Sequence, residues 1–285
     1  MKIRKEFQIF FIILVMLLVV SYYFDYKISD DLYNRSSLIC RSIHVFAQIP
    51  AYLLMAFFSA GIFNSRSRDY SSFSMLSAVG GFLLTAVFGF LCGYVFLYNL
   101  GLYSITLIMA IDIGIFVCCY MVTKLICDHD AYALRKASKL GLSSFALILI
   151  ITLTCTAFVD RIPFRRLDGT VNVFKPWYLA GLSFDPMGFL NRSFPSITLA
   201  LSSDILLINL IPQFSRRFRD RKTILSIISF SWIFVIAISQ IILGYSYLSD
   251  ILIGLLIGCM SIFLFYLVYY KKNDSPKEMI DEVNP

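Results

Sequence analysis

The stretch "SQIILGYSYLSDILIG", residues 239–254, leaves one long apolar segment, turns at Gly244 to Ser246, and enters another. Ser239 and Asp250 bracket that turn eleven residues apart. Outward from it, the chain of 285 residues is 59% hydrophobic, 16% aromatic and only 15% charged. Its mean hydropathy of +0.77 is far above that of a soluble domain of this length. At about 20 apolar residues per crossing, eight segments are expected, at residues 7–24, 43–64, 72–97, 102–123, 143–159, 194–212, 224–243 and 247–270. The expected fold class is all-α, a polytopic transmembrane helix bundle.

The start "MKIRKE" resembles the basic beginning of a signal peptide, but "VVSYYFDYK" offers no small-x-small cleavage site, so the first segment is read as a retained helix. The net charge of +7 is spread over loops, which does not suggest a nucleic-acid partner. "NSRSRD", "ALRKASK" and "RRFRDRK" fall on one side if the spans alternate. The positive-inside rule then puts both termini in the cytoplasm. Residues 160–192, expected outside, break that rule with Arg161, Arg165, Arg166, Lys175 and Arg192 against Asp160, Asp168 and Asp185. An anionic ligand or lipid headgroups would account for this excess.

Segments 3 to 8 are tightly linked, whereas the polar stretch "DYKISDDLYNRSSLICRS" separates segments 1 and 2. The expected organisation is two leading helices with an outer loop (1–71), a six-helix body (72–270) and a disordered cytoplasmic tail (271–285). Gly89 with Gly93, and Gly254 with Gly258, repeat at one-turn spacing and predict close helix packing. The seven cysteines form no disulfide framework, since only Cys40 is expected to face outward. With no metal-ligand spacing and no glycine-rich phosphate loop, neither a metal nor a cofactor is expected.

Three stretches fall on the expected outer side: "VDRIPFRRLDG" after segment 5, "NRSFPSITLALSS" entering segment 6, and "SQIILGYSYLSD" between segments 7 and 8. Their order and placement resemble the motifs of the type 2 phosphatidic acid phosphatase superfamily, PAP2 or haloperoxidase-like: K-x6-R-P, then P-S-G-H, then S-R-x5-H-x3-D. Pro195 and Ser196 match the second motif, Ser239 and Asp250 match the ends of the third, and Pro163 aligns with the end of the first. The resemblance covers the C-terminal half well and the rest only by topology.

In the family's mechanism a third-motif histidine attacks phosphorus, its aspartate partner orients it, and a second-motif histidine protonates the leaving oxygen. Lysine and arginine side chains hold the phosphoryl oxygens. In this sequence Ser246 stands at the nucleophile, Thr198 at the acid, Ile197 at the glycine and Gln240 at the third-motif arginine, with Cys155 and Ile162 at the first-motif cations. Both histidines and all aligned cations are therefore replaced. A serine needs an adjacent base, and Asp250, one turn on, is the nearest carboxylate; without a histidine to orient, it is equally an ordinary acid at a helix start. Ser196 is as readily a helix cap as a phosphate ligand. Arg161, Arg165 and Arg166 are candidate shifted phosphate ligands, because guanidinium forks suit phosphate.

The chain has two histidines. His129 in "CDHDAY" is expected on the cytoplasmic side, and His44 at the outer start of segment 2. Asp112 and Asp204 fall inside spans, where ionisable groups are functional candidates, commonly for ion or proton passage. The resemblance implies a lipid-phosphatase-like protein of a bacterial inner membrane, with its site on the outer face and phosphorylated lipids such as phosphatidate, prenyl pyrophosphates or lipid A as ligands. The replaced residues imply a degenerate site that binds a lipid phosphate or a protein partner. A rearranged active phosphatase and a transporter using Asp112 and Asp204 are the alternatives.

Overall fold

A computed structural model describes residues 2–65, 72–167 and 174–271. The expected tail lies almost wholly outside them. The described chain is all-α apart from one two-residue strand pair, with helices α1 (Lys2–Leu32), α2 (Leu38–Phe46), α3 (Ile49–Asn64), α4 (Ser72–Leu100), α5 (Ile105–Phe158), α6 (Gly188–Asn191), α7 (Ile197–Ser202), α8 (Ile211–Phe214), α9 (Lys222–Ile242) and α10 (Leu248–Tyr266). Eight spans among the described residues are long and apolar enough to cross a membrane. The protein is a multi-pass integral membrane protein. Side chains such as Leu83, Ile113, Ile227 and Phe234 are exposed, the arrangement a bilayer rather than water rewards.

Several segments differ from the sequence expectation. Helix α1 continues to Leu32, so Asp25 lies within it and not in a loop. Segments 4 and 5 are two helices that meet at a kink at Asp130 (φ −155°), and "ALRKASK" lies within the second of them, not in a loop. Asp130 Oδ1 accepts from the Ala133 amide at 3.0 Å, a local cap that restarts the helix beyond the kink. Segment 2 is interrupted between α2 and α3, and segment 6 runs as α7, a 3₁₀ stretch Ser203–Leu210, and α8. Segment 2 is therefore interrupted at residues 47–48, and segment 6 changes helix type along its length, where regular helices were expected.

The chain forms two compact units. One gathers residues 1–48, 148–203 and 229–258, the other 49–147, 204–228 and 259–285. In the first, Leu199, Leu201, Ile236 and Tyr247 are buried; in the second, Met55, Phe58, Leu134 and Leu207 are. The expected outer loop has structure of its own in the first unit. Strand β1 (Val159–Asp160) pairs antiparallel with β2 (Gly181–Leu182). Arg192 draws the loop together, donating to the carbonyls of Thr156, Ala157 and Ser183 and to Ser183 Oγ.

The glycine pairs do mark close approach. A side chain at Gly93 would meet Ile108 and Ile111, one at Gly254 would meet the Ser196 carbonyl at 2.5 Å, and one at Gly258 would meet Ser203. At the end of α9, Gly244 has φ +67°. Its amide donates to Ile241 O at 2.9 Å and the Tyr245 amide donates to Gln240 O at 3.0 Å, the Schellman pattern that stops a helix. Gly244 O also accepts from the Arg165 amide at 3.0 Å, and a Cβ here would lie 2.7 Å from the Tyr33 ring. Gly244→Ala is expected to lower stability by at least about 1–2 kcal/mol, the left-handed backbone cost alone, read as a lower melting temperature in detergent.

Candidate functional site

The first unit places a charged cluster at the start of α10. Arg161 is 1% exposed, Asp25 4% and Asp250 0%. Arg161 Nη2 lies 2.6 Å from Asp25 Oδ2, and Nη1 pairs with Asp250 Oδ1. Ser249 Oγ accepts from Arg161 Nη1 at 2.6 Å and donates to Asp25 Oδ2 at 2.5 Å, while its amide donates to Asp25 Oδ1 at 3.0 Å. The remaining Arg161 Nε donates to Lys175 O at 3.1 Å. The guanidinium also lies over the rings of Tyr247 (4.2 Å) and Phe174 (5.8 Å). Burial opposes the charge on Arg161, but the two carboxylates outweigh it and hold its pKa above the ordinary arginine value.

Asp250 also has a local duty. Its Oδ2 accepts from the Tyr247 amide at 3.1 Å, the arm of a capping box that reaches back over the first turn. Both carboxylate oxygens of Asp250 are thus engaged away from Ser246. Ser246 Oγ instead donates to Ser196 Oγ at 3.1 Å. Ser196 caps α7, accepting from the Leu199 amide at 3.5 Å, and its own amide donates to Asp250 O at 3.0 Å. Among the described residues, no carboxylate or imidazole is hydrogen-bonded to the Ser246 hydroxyl.

The aligned motif positions nevertheless converge. Ser196, Ile197, Thr198, Gln240 and Ser246 line one cavity of about 120 Å³ with Pro163, Arg165, Asn191, Arg192, Ser193, Pro195 and Tyr245. Thr198 Oγ1 accepts from Gln48 Nε2 at 3.3 Å. Arg161, expected among the phosphate ligands, is not part of this wall, because its donors face the two aspartates. Arg166 is exposed and donates to Asn191 Oδ1 at 2.7 Å. Arg165 does reach the cavity, stacked 3.7 Å above the Tyr245 ring, and no carboxylate among the described residues pairs with it.

His44 stands behind the wall. It stacks on Tyr245 (centroids 4.4 Å apart, 18° between planes), and its Nδ1 pairs with the Gln240 amide nitrogen at 2.8 Å. The ring is a buttress for two lining residues and does not itself line the cavity. The His129 side chain lies outside the described residues. Asp112 and Asp204 belong to the second unit. Among the described residues, Asp112 Oδ1 and both Asp204 oxygens are buried without a hydrogen-bond partner. The neighbouring Ser202 and Ser203 hydroxyls donate to Ala47 O and Ala200 O. Among the described residues no group of three or more His, Cys, Asp or Glu is placed to hold a metal ion.

Residues 139–274 match the family model of the PAP2 superfamily. The C-terminal half of the chain belongs to the PAP2 superfamily. Neither the curated proteins nor the solved structures contain a significant match. The superfamily segment holds the cavity lining and Arg161 with Asp250, while Asp25, Gln48 and His44 come from the helices before it. Sequence reasoning missed Asp25 because the first span was ended at residue 24. A signal was present: Ser21, Asp25 and Ser29 recur every fourth residue, and all three are buried, a polar stripe on an apolar helix.

Arg161→Met leaves two buried carboxylates without their cation and is expected to cost about 3–5 kcal/mol. Asp25→Asn and Asp250→Asn in the same chain should restore part of that loss. Melting temperatures of the purified single and triple variants check both statements.

Proposed function

We propose that this PAP2-superfamily membrane protein binds the phosphate group of a membrane lipid in the cavity around Arg165 without hydrolysing it, facing away from the cytoplasm in a bacterial inner membrane. The observation that carries this reading is the engagement of Asp250 by Arg161 and the Tyr247 amide. An attacking serine needs a base within hydrogen-bond reach, and Ser246 has only the Ser196 hydroxyl. The family's two histidine positions hold Thr198 and Ser246, and neither side chain transfers a proton readily at neutral pH.

Binding needs less than catalysis. A partly exposed guanidinium on an aromatic platform, the Ser196, Ser246 and Thr198 hydroxyls and the Gln240 amide together provide charge-assisted and neutral donors for phosphate oxygens. The cavity suits one phosphate group, leaving the acyl or prenyl tails outside it.

Detergent-purified protein should release no phosphate from phosphatidate, prenyl pyrophosphate or lipid A, and should still bind phosphatidate in mixed micelles. Arg165→Gln should weaken that binding about tenfold or more, the loss of one charged hydrogen bond. Turnover that disappears in Ser246→Ala or His44→Ala would overturn the reading and identify the replacement nucleophile or acid.

A transport reading is favoured by two observations in particular. Asp204 is fully buried with both oxygens unpartnered among the described residues, and the span over residues 38–64 is interrupted at residues 47–48, as helices of many transporters are. If it holds, Asp204→Asn and Asp112→Asn should abolish ion- or proton-coupled flux in proteoliposomes while phosphatidate binding at Arg165 is unchanged.

A further inference from the structure

The second unit carries a basic cavity that the PAP2 motifs do not touch. Tyr132, Arg135, Lys136 and Lys139 fall at i, i+3, i+4 and i+7, one face of the helix restarted at Asp130. With Tyr269 they line a cavity of about 270 Å³. Opposite the cations, the chain beyond α10 continues as a π-helical turn, Leu267–Lys271, a form that often marks functional positions. That turn presents Tyr269 to the cavity and Tyr270 to Lys136, whose Nζ lies 4.4 Å from the Tyr270 ring centroid. The Tyr270 ring is itself stacked on Tyr266, with centroids 5.0 Å apart.

This arrangement is under-supplied with negative charge. No carboxylate among the described residues pairs with Arg135, Lys136 or Lys139. The Tyr270 hydroxyl is buried and has no hydrogen-bond partner among the described residues. The positive-inside rule explains why cations occur at this end of a span. It does not explain their convergence on one concavity, with a lysine fixed over an aromatic ring and a phenol left unpaired.

We propose that Tyr132, Arg135, Lys136, Lys139 and Tyr269 form a binding site for the phosphate headgroup of an anionic membrane phospholipid. The cavity opens in the first turns of the span Asp130–Phe158, at the depth of lipid headgroups, and tyrosines are favoured at that level. Basic pockets beside membrane helices bind such headgroups. The site is independent of the Arg165 cavity and does not rest on the function proposed for it.

The test uses the full chain carrying Arg165→Gln, so that binding at the other cavity is weakened in every sample alike, in phosphatidylcholine micelles titrated with phosphatidylglycerol and read by native mass spectrometry. Phosphatidylglycerol is expected to be retained, and each of Arg135→Gln, Lys136→Gln and Lys139→Gln should weaken it about fivefold. Arg135→Lys with Lys139→Arg should keep it. Lys139 is exposed, so Lys139→Gln alone tests the site if the combined variant does not fold. Undiminished retention in folded glutamine variants would overturn the proposal. So would displacement of the lipid by millimolar glycerol phosphate, which would point to a soluble anion. Binding seen only after truncation beyond Lys271 would overturn it too, in favour of the acidic tail, which carries Asp274, Glu278, Asp281 and Glu282, as the occupant.

Discussion

The first unit is organised around one buried cation. Arg161 cannot be left alone at 1% exposure, and its guanidinium is met by Asp25 from α1, by Asp250 and Ser249 from α10, and by the Lys175 carbonyl from the loop. Each partner is fixed in turn: Ser249 binds Asp25 through both its amide and its hydroxyl, and Asp250 caps its own helix. Such clusters contribute little net stability relative to apolar packing, yet removing one member is costly. Their effect is to specify which ends of which helices meet.

That constraint decides the chemistry nearby. In the superfamily's mechanism the position of Asp250 orients an attacking histidine. Here serine stands at residue 246, and the carboxylate is held by Arg161 and by the Tyr247 amide. The two arginines of the loop likewise part company. Arg161 is neutralised inside the protein, and Arg165, four residues on, faces the cavity over Tyr245. The frame of the site persists because its backbone supports are local. The Schellman turn at Gly244, the cap at Ser196 and the turn leading into Tyr247 hold the lining residues in place, whichever side chains those residues carry.

Much of this was legible in the residues. Eight apolar stretches predict eight spans because the bilayer sets their length, and eight are found among the described residues. The residues that the motif spacing groups, Ser196, Thr198, Gln240 and Ser246, line one cavity, since each lies within a few residues of a helix end whose position the apolar pattern fixes. Segment ends were less legible. The polar residues after Phe24 look like loop, but Asp25 is tolerated in the helix because Arg161 and Ser249 satisfy it. "ALRKASK" likewise looks like a connection, and is helical because its alanines, leucine and long basic side chains are good helix formers.

By itself, then, the sequence determined the membrane class, the number of spans and the superfamily resemblance of the C-terminal part, all properties of local composition and spacing. The tertiary structure alone decided which charges face each other. Arg161 and Arg165 are alike in type and four residues apart, and nothing local separates them. One is enclosed by carboxylates from residues 25 and 250, and the other is left facing a cavity. The physical reason is that a buried charge is stable only with its counter-charges, and these come from distant parts of the chain that only the fold brings together.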